Sequence, residues 1–231
     1  SLVNQKGGVG KTTSAINLAG YLAAAGKFVL LVDLDPQGNA SSGLGIDTRN
    51  LEKNLYHAMI GETNPHELIV KTDDFGHDIL PSSRDLAGAG IELVQIDNRE
   101  FKLYDVLRQI RTHYDYIIID SPPSLGLLTI NGLVASDEVI IPVQAEYYAL
   151  EGLSQLLDTI DLVKQNLQPE LKVMGALLTM YDKRNRLNRQ VVREVRDHFP
   201  GFVFDSVIPR SVRLAEAPSF GKSILHFDAF S

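Results

Sequence analysis

The chain contains the stretch Lys6-Gly7-Gly8-Val9-Gly10-Lys11-Thr12-Thr13, and this stretch decides the predicted fold. A loop that wraps a polyphosphate points backbone N–H groups inward, and its glycines leave room because they carry no Cβ. In such a loop Lys11 places a positive charge at the β- and γ-phosphates, and Thr12 offers a hydroxyl ligand to Mg²⁺. Thr13 is suited to a further phosphate hydrogen bond at the positive end of the helix that begins here. The pattern predicts a phosphate-binding loop; the alternative is a glycine-rich turn with surface lysines.

One position departs from the usual phosphate-loop pattern G-x-x-x-x-G-K-[ST]. Gln5 stands where that pattern has its first glycine, and Lys6 follows it. Because Lys11 already serves the nucleotide of its own chain, a single nucleotide does not explain a second lysine so close to the loop.

Apolar runs and helical segments alternate along the rest of the chain, which is typical of an α/β fold. The predicted strands, several of them apolar at consecutive positions as in strands covered on both faces, are Phe28–Val32, Tyr116–Ile119, Val139–Val143, Val173–Met180 and Phe202–Ile208. The predicted helices are Thr13–Ala25, Phe101–His113, Leu150–Asn166 and Asn185–Phe199. Gly26 is expected to stop the first helix, since glycine accepts the left-handed conformation. The sequence therefore predicts a mostly parallel twisted sheet with right-handed crossovers and helices on both faces, in the P-loop NTPase class.

We predict one domain over residues 1–231, because no repeat, low-complexity linker or clear boundary divides the chain. Both natural termini are expected to extend beyond this chain. Ser1–Asn4 leave few residues for the strand that precedes a phosphate loop, and no closing helix is obvious before Phe230 and Ser231.

The composition excludes several kinds of site. The chain has 231 residues, of which 44% are hydrophobic, a net charge of −7 and no cysteine. Disulfides, thiolate zinc sites and cysteine-ligated iron–sulfur clusters are therefore excluded. The six histidines lack metal-ligand spacing, and no apolar stretch approaches the roughly 20 residues that cross a bilayer. The negative charge argues against a nucleic-acid-binding coat over the whole surface but permits a local basic patch.

Two further segments carry acidic residues at the ends of apolar runs, where α/β sheets place their ligands. Asp33 and Asp35 follow Val29–Val32, and alternation puts both on one side of an extended chain. Asp120 ends the run Ile117–Ile119 in the form of a Walker B strand. Phosphoryl transfer needs a metal and a group that orients water, and these carboxylates are suited to both. The alternative is that one of the three, Asp33 above all, only caps a loop.

The run from Lys6 to Thr13 is similar to the deviant Walker A box of the ParA/MinD group of ATPases. In that group the extra lysine, here Lys6, reaches the nucleotide of a partner chain. The resemblance thus implies ATP and Mg²⁺ as cofactors and a homodimer that encloses two nucleotides. Lys6, Lys11 and Asp35 would be catalytic, with Asp35 positioning the attacking water. Asp120 would hold Mg²⁺, with Asp33 supporting the metal and Thr12.

Three more segments resemble the chromosome- and plasmid-partitioning branch of this group, ParA/Soj: Asp33–Asn39, Pro142–Gly152 and Ile208–Ser219. The similarity runs from Asn4 to about Lys222. It implies a cytoplasmic, nucleoid-associated protein that binds double-stranded DNA without sequence preference in its ATP dimer, with a ParB-type centromere-binding partner and no membrane. Candidate adenine contacts are Met180-Tyr181-Asp182 and Pro209-Arg210, although these residues could equally pack loops.

The segment Asn185–Phe199 offers a surface for DNA. At 100° per residue its arginines fall within an arc of about 80°, opposite four apolar positions. The arginines are Arg186, Arg189, Arg193 and Arg196, and the apolar residues are Leu187, Val191, Val195 and Phe199. Lys183, Arg184 and Arg213 would extend the basic surface. The alternative is an ordinary solvated helix face.

Two rival functions are compatible with the same loop. One is a MinD-like ATPase that cycles on a membrane in cell division. The other is an ATP-dependent amide or lactam synthetase on the same fold. Nitrogenase iron protein is excluded, because it needs cysteines to hold its cluster.

Overall fold

The computed structural model describes residues 1–146 and 152–231. The strands are β1 (Val29–Asp33), β2 (Val70–Lys71), β3 (Asp78–Leu80), β4 (Tyr116–Asp120), β5 (Glu138–Gln144), β6 (Lys172–Tyr181) and β7 (Val203–Pro209). The α-helices are α1 (Lys11–Ala24), α2 (Asn39–Gly43), α3 (Leu55–Met59), α4 (Leu86–Glu92), α5 (Lys102–Ile110), α6 (Leu127–Val134), α7 (Leu153–Asn166), α8 (Arg186–His198), α9 (Val212–Glu216) and α10 (Ile224–Asp228). Short 3₁₀ turns lie at Pro65–Glu67, Leu93–Gln95, Arg99–Phe101, Arg111–His113 and Ala217–Phe220.

The strands form two ladders, in the orders β2-β3-β1-β4 and β5-β6-β7. The first residues of the chain join them: Leu2 N–H donates to the Ile119 carbonyl at 2.9 Å, and Val3 N–H donates to the Ile140 carbonyl at 3.1 Å. Pairing is parallel throughout these ladders except between β2 and β3. The predicted mostly parallel sheet is therefore confirmed, with the short segment before the phosphate loop in its centre.

β1 shows why apolar residues stand at consecutive positions. Its five residues are all buried. Leu30 and Val32 pack in one cluster with residues of α3, α4 and α5, whereas Val29 and Leu31 pack on the other face with α1. Because helices cover both faces of the sheet, the side chains on either face of β1 are shielded from water.

α1 begins directly after the phosphate loop and ends where Gly26 was expected to stop it. Gly10 is its N-cap at φ 86°, a left-handed conformation that lets the loop turn into the helix without strain. Gly26, at φ 82°, donates its N–H to the Ala23 carbonyl at 2.8 Å. The helix starts at Lys11, two residues before the predicted start, because the left-handed backbone of Gly10 completes the turn out of the loop in a single residue.

Several elements were not predicted. β2 and β3 have only two and three residues, and α2, α3, α9 and α10 have five each, too few to show a period. α6 is buried on most sides, so it lacks an amphipathic pattern. α10 follows where no closing helix was obvious. The predicted start of α7 at Leu150 lies outside the described residues, and the helix is described from Leu153.

A buried histidine leads to a prediction about acid stability. His77 lies in the turn between β2 and β3, and its Nδ1–H donates to the Asp74 carbonyl at 2.7 Å. Burial lowers the pKa of His77 from its ordinary value of 6.5, which the Asp74 carbonyl only partly opposes. Because the pKa of His77 is lower in the folded state than in the unfolded state, neutral His77 stabilises the fold above pH 6.5. That contribution to the unfolding free energy is lost as the pH falls below 6.5.

We expect His77→Asn, which keeps an N–H donor and removes the titration, to flatten the loss of unfolding free energy below pH 6.5. The change in slope is at most about 1.4 kcal/mol per pH unit, the limit for one proton. Urea unfolding at about pH 5.5 and about pH 7.5 measures it. His198→Asn is the control, because His198 is exposed. If the unfolding free energy changed equally with pH in wild type and His77→Asn, His77 would not be the group that lowers stability in acid.

Candidate functional site

The phosphate loop, residues 5–11, sits at the carboxyl edge of the sheet between the chain's first residues and α1. Gly8 at φ 74° and Gly10 at φ 86° both have left-handed backbones, which L side chains rarely adopt. Thr179, near the end of β6, donates its hydroxyl to the Val9 carbonyl at 2.8 Å. Strand β6 of the second ladder therefore holds the loop through this hydrogen bond.

Gln5, which departs from the common pattern, anchors the start of the loop. Its side-chain amide donates to the Gly152 carbonyl at 2.8 Å, and Asn4 likewise donates to the Pro142 carbonyl at 2.8 Å. Lys6 uses only its backbone: its N–H donates to Asn4 Oδ1, and its carbonyl accepts from Lys11 Nζ at 3.1 Å. Within the described part of the chain, the Lys6 ammonium takes part in no hydrogen bond or ion pair.

Lys11 is buried, and its charge faces two of the predicted acids. Burial lowers the pKa of the Lys11 ammonium, while the carboxylates of Asp120 and Asp35 oppose that change. The structure therefore brings Lys11, Asp35 and Asp120 together beside the loop, as strand-end placement predicted. β1 and β4 run in register, with Asp33 opposite Asp120.

Asp33 is fully buried, and the start of α2 holds its carboxylate. Oδ2 accepts the Ser41 N–H at 2.8 Å and the Ser41 hydroxyl at 2.7 Å, while Oδ1 accepts the Asp35 N–H at 3.2 Å. Burial raises the pKa of Asp33 to about 6, against the effect of these hydrogen bonds. Its contacts are those of a loop cap, and support of the metal by Asp33 stays a prediction.

Asp120 differs from Asp33 in having no hydrogen-bond partner among residues 1–146 and 152–231. It is fully buried, and neither carboxylate oxygen accepts a hydrogen bond from the described residues. Burial, and next the Asp33 carboxylate, raise its pKa well above the usual value. The Thr12 hydroxyl and the Lys11 ammonium lie close enough to lower that pKa, but the hydroxyl falls short of a hydrogen bond.

These residues fit a magnesium ion. A buried carboxylate with two unpaired oxygens next to a threonine hydroxyl is a hard oxygen donor set, and Mg²⁺ uses few protein ligands and keeps waters and phosphates as the others. Within residues 1–146 and 152–231, no group of three or more His, Asp or Glu side chains could hold a metal by itself. A site completed by phosphate and water therefore suits Thr12 and Asp120 better than a protein cage.

A pocket of about 180 Å³ opens beside the loop, between α1 and the ends of β6 and β7. Its lining includes Gly10 and Thr13 together with three of the five candidate adenine contacts, Met180, Pro209 and Arg210. Met180 has φ 53°, an uncommon value for a residue other than glycine, where β6 ends. Tyr181 and Asp182 are not among the lining residues.

α8 presents the arginines that were predicted to share one face. Arg186, Arg189, Arg193 and Arg196 are all exposed, whereas Val191, Val195 and Phe199 are buried. No ion pair involves these four arginines among the described residues. The placement of Leu187 on the buried face was wrong: it is 41% exposed, because the buried face of α8 is centred on Asn188, Val191 and Val195 and Leu187 lies at its edge.

The residues proposed to extend this surface differ in their surroundings. Lys183 is exposed, and Arg184 pairs with Asp182 at 3.0 Å. Arg213 pairs with Glu216 at 3.0 Å and with Asp228 at 3.3 Å, and lies over the Phe227 ring. Acidic neighbours therefore partly neutralise Arg184 and Arg213, unlike the arginines of α8.

Sequence reasoning missed Ser41, Ser82 and Thr179, whose hydroxyls hydrogen-bond Asp33, Asp35 and the phosphate loop. Each is a buried hydroxyl that hydrogen-bonds a residue outside its own element: Ser41 bonds Asp33, eight residues before it, and Ser82 and Thr179 bond residues 47 and 170 positions away. A serine or threonine in a loop or strand has no pattern that distinguishes such a contact from a solvent-facing side chain, so no sequence signal could have found them.

The glycine loop after the short central segment of the sheet, the buried lysine and the carboxylate at the end of β4 define a P-loop ATPase with a deviant Walker A box. Residues 1–173 match the family model of an AAA domain. The chain is 58% identical to the chromosome partitioning protein ParA of Myxococcus xanthus, over 97% of this chain and 80% of that protein. It is 54% identical to the sporulation initiation inhibitor protein Soj of Bacillus subtilis, over 99% of this chain and 90% of that protein.

The chain belongs to the ParA/Soj family. Among solved structures, it resembles the cobyrinic acid a,c-diamide synthase of Mycobacterium smegmatis with bound ADP and magnesium. The TM-score is 0.88 at 41% identity, over 95% of this chain and 90% of that one. Across residues 1–146 and 152–231, no helix has both the length and the apolar character needed to span a membrane.

Proposed function

We propose that this chain is a DNA-partitioning ATPase that binds Mg-ATP at residues 6–13 and hydrolyses it to ADP and phosphate. The observation that carries the proposal is the buried Lys11 near Asp35 and Asp120, with the Asp120 oxygens beside Thr12 and unpaired within the described part of the chain. The identity to ParA and Soj proteins over almost the whole chain supports the partitioning role.

Each residue of the site has a proposed task. The glycine N–H groups and Lys11 bind the phosphates, and Met180, Pro209 and Arg210 contact the adenine. Thr12 and Asp120 would hold Mg²⁺, which neutralises charge that develops on the phosphates during transfer. Asp35 orients the attacking water.

We further propose that ATP joins two copies of the chain. Lys6 leaves its ammonium uncommitted within the described residues, which suits contact with a nucleotide of the partner. A γ-phosphate that touches both chains stabilises the dimer, and hydrolysis removes that contact. Two copies double the α8 arginines, so ATP controls the affinity for DNA. A ParB-type protein would stimulate hydrolysis on the nucleoid.

Light scattering tests this switch. The chain is sized with ADP and with a non-hydrolysable ATP analogue, each with and without a duplex of random sequence. A monomer in ADP that becomes a dimer with the analogue and then joins the duplex supports the proposal. A particle of constant size in all four samples would reject the dimer and the role of Lys6.

We expect the double variant Arg189→Glu with Arg193→Glu to weaken DNA binding and to leave dimerisation intact. Two lost phosphate contacts per chain lower the slope of log affinity against log salt by about 2 for each chain bound. Fluorescence anisotropy over a salt series measures the slope. Arg108→Glu with Arg111→Glu is the charge-matched control, because these two exposed arginines lie on and just after α5. The same slope in both variants would show that the α8 arginines form only a solvated face.

A synthetase is the second candidate, because a structure 41% identical to this chain carries a diamide synthase name. Such an enzyme would phosphorylate a carboxylic acid before amidation. ATP turnover that rises with a small acid substrate, together with an acyl phosphate product, would favour it over the DNA switch.

A further inference from the structure

Two buried serines complete a ring of hydrogen bonds with Asp33, the last residue of β1, and Asp35, which follows two residues later. The Ser41 hydroxyl donates to Asp33 Oδ2 at 2.7 Å and accepts the Ser82 N–H at 3.1 Å. The Ser82 hydroxyl donates to the Asp35 carbonyl at 2.8 Å. The Asp35 N–H donates to Asp33 Oδ1 at 3.2 Å and closes the ring. Ser41, Ser82 and Asp33 are each 0% exposed, so water does not compete for these bonds.

The ring holds the backbone of Asp35 from both sides. Its N–H donates to Asp33. Its carbonyl accepts the hydroxyl of Ser82, in the segment that follows β3, and also the Gly38 N–H at 2.9 Å. The side chain is oriented separately, because Asp35 Oδ1 accepts the Gln37 N–H at 2.9 Å. Oδ2 makes no hydrogen bond within the described residues, so its position depends on the Asp35 backbone together with the bond from Gln37 to Oδ1.

We propose that Ser41 and Ser82 are positioning residues for hydrolysis: through this ring they hold the Asp35 carboxylate where it orients water. The inference rests on the proposed function, since it depends on the task of Asp35. ATP binding uses other groups, because the loop and Lys11 take no hydrogen bond from the four ring residues in the described chain. The serines should therefore affect turnover and not affinity.

The test compares Ser41→Ala and Ser82→Ala in this chain, with ATP turnover and ATP affinity measured separately. We expect kcat to fall about tenfold, since a shift of about 1 Å in a reacting group costs up to about 100-fold. The dissociation constant for ATP should change less than about twofold. The double variant should lose little more than either single variant, because each change opens the same ring. Ser41→Thr, which keeps the hydroxyl, should recover most of the turnover.

Ser42→Ala is the matched control. Ser42 is in the same short helix, is exposed, and donates its hydroxyl to the Gly38 carbonyl at 2.7 Å without touching either acid. It should keep wild-type turnover. Ser82→Cys keeps nearly the same volume with a weaker donor, so it tests the same bond if Ser82→Ala loses stability.

Turnover per folded, ATP-bound molecule that stays at the wild-type value in Ser41→Ala and Ser82→Ala would overturn the inference. An equal loss in Ser42→Ala would overturn it too. Asp35→Ala separates this failure from that of the proposed function. If Asp35→Ala is slow and the serine variants are not, only the positioning role fails; if Asp35→Ala turns over normally, the task of Asp35 itself fails.

Discussion

Asp35→Ala is expected to lower kcat for ATP hydrolysis by about 100-fold or more while ATP remains bound, since a positioned acid–base group contributes about 10²–10⁴ in rate. The carboxylate lies beside Lys11 and Asp120 and contributes to the raised pKa of Asp120. Its removal takes one negative charge away from the phosphates, so affinity for ATP should hold or rise. The variant should accumulate as the ATP dimer.

Steady-state release of phosphate, together with a nucleotide titration, measures the two effects separately. Asp47→Ala is the control, because Asp47 is an exposed acid in the loop after α2 that pairs with Arg49. Turnover of Asp35→Ala at the wild-type rate would remove Asp35 from its task, and weaker ATP binding would point to a structural effect.

Lys11→Ala is expected to weaken ATP binding by about 100-fold or more, since loss of one partner from a buried charge pair costs roughly 2–5 kcal/mol. The ammonium is buried under the loop and bonded to the Lys6 carbonyl, so no exposed lysine can take its place. The variant leaves Asp35 and Asp120 without their compensating charge, which repels phosphate further.

Isothermal titration with ATP and Mg²⁺ measures this loss. Lys6→Ala is the informative comparison, because it removes the other lysine of the loop. It should keep ATP affinity in the monomer and lose the dimer. Equal affinity for wild type and Lys11→Ala would refute the nucleotide site, and a loss of affinity in Lys6→Ala would place both lysines on the same nucleotide.

The parallel sheet and the loop could be predicted because each depends on local chemistry. Gly8 and Gly10 adopt the left-handed backbones that the loop requires, and the apolar run of β1 is buried on both faces. The placement of Asp35 and Asp120 near Lys11 followed from the rule that parallel strands end at one edge. The shared face of the α8 arginines followed from the helical period, whereas the same period wrongly placed Leu187 on the buried face.

The sequence by itself determined the class of fold, the phosphate loop and the acids at the strand ends, because residue type and spacing set backbone conformation and strand direction. The tertiary structure alone decided that Ser41 holds Asp33, that the Asp120 oxygens have no partner among the described residues, and that Ser82 bonds the Asp35 backbone. It also placed Met180, Pro209 and Arg210 beside Gly10. The bond between Ser82 and Asp35 and the pocket beside Gly10 join residues far apart in the chain. Their strength comes from burial, which exists only after the sheet and its helices have packed and excluded water.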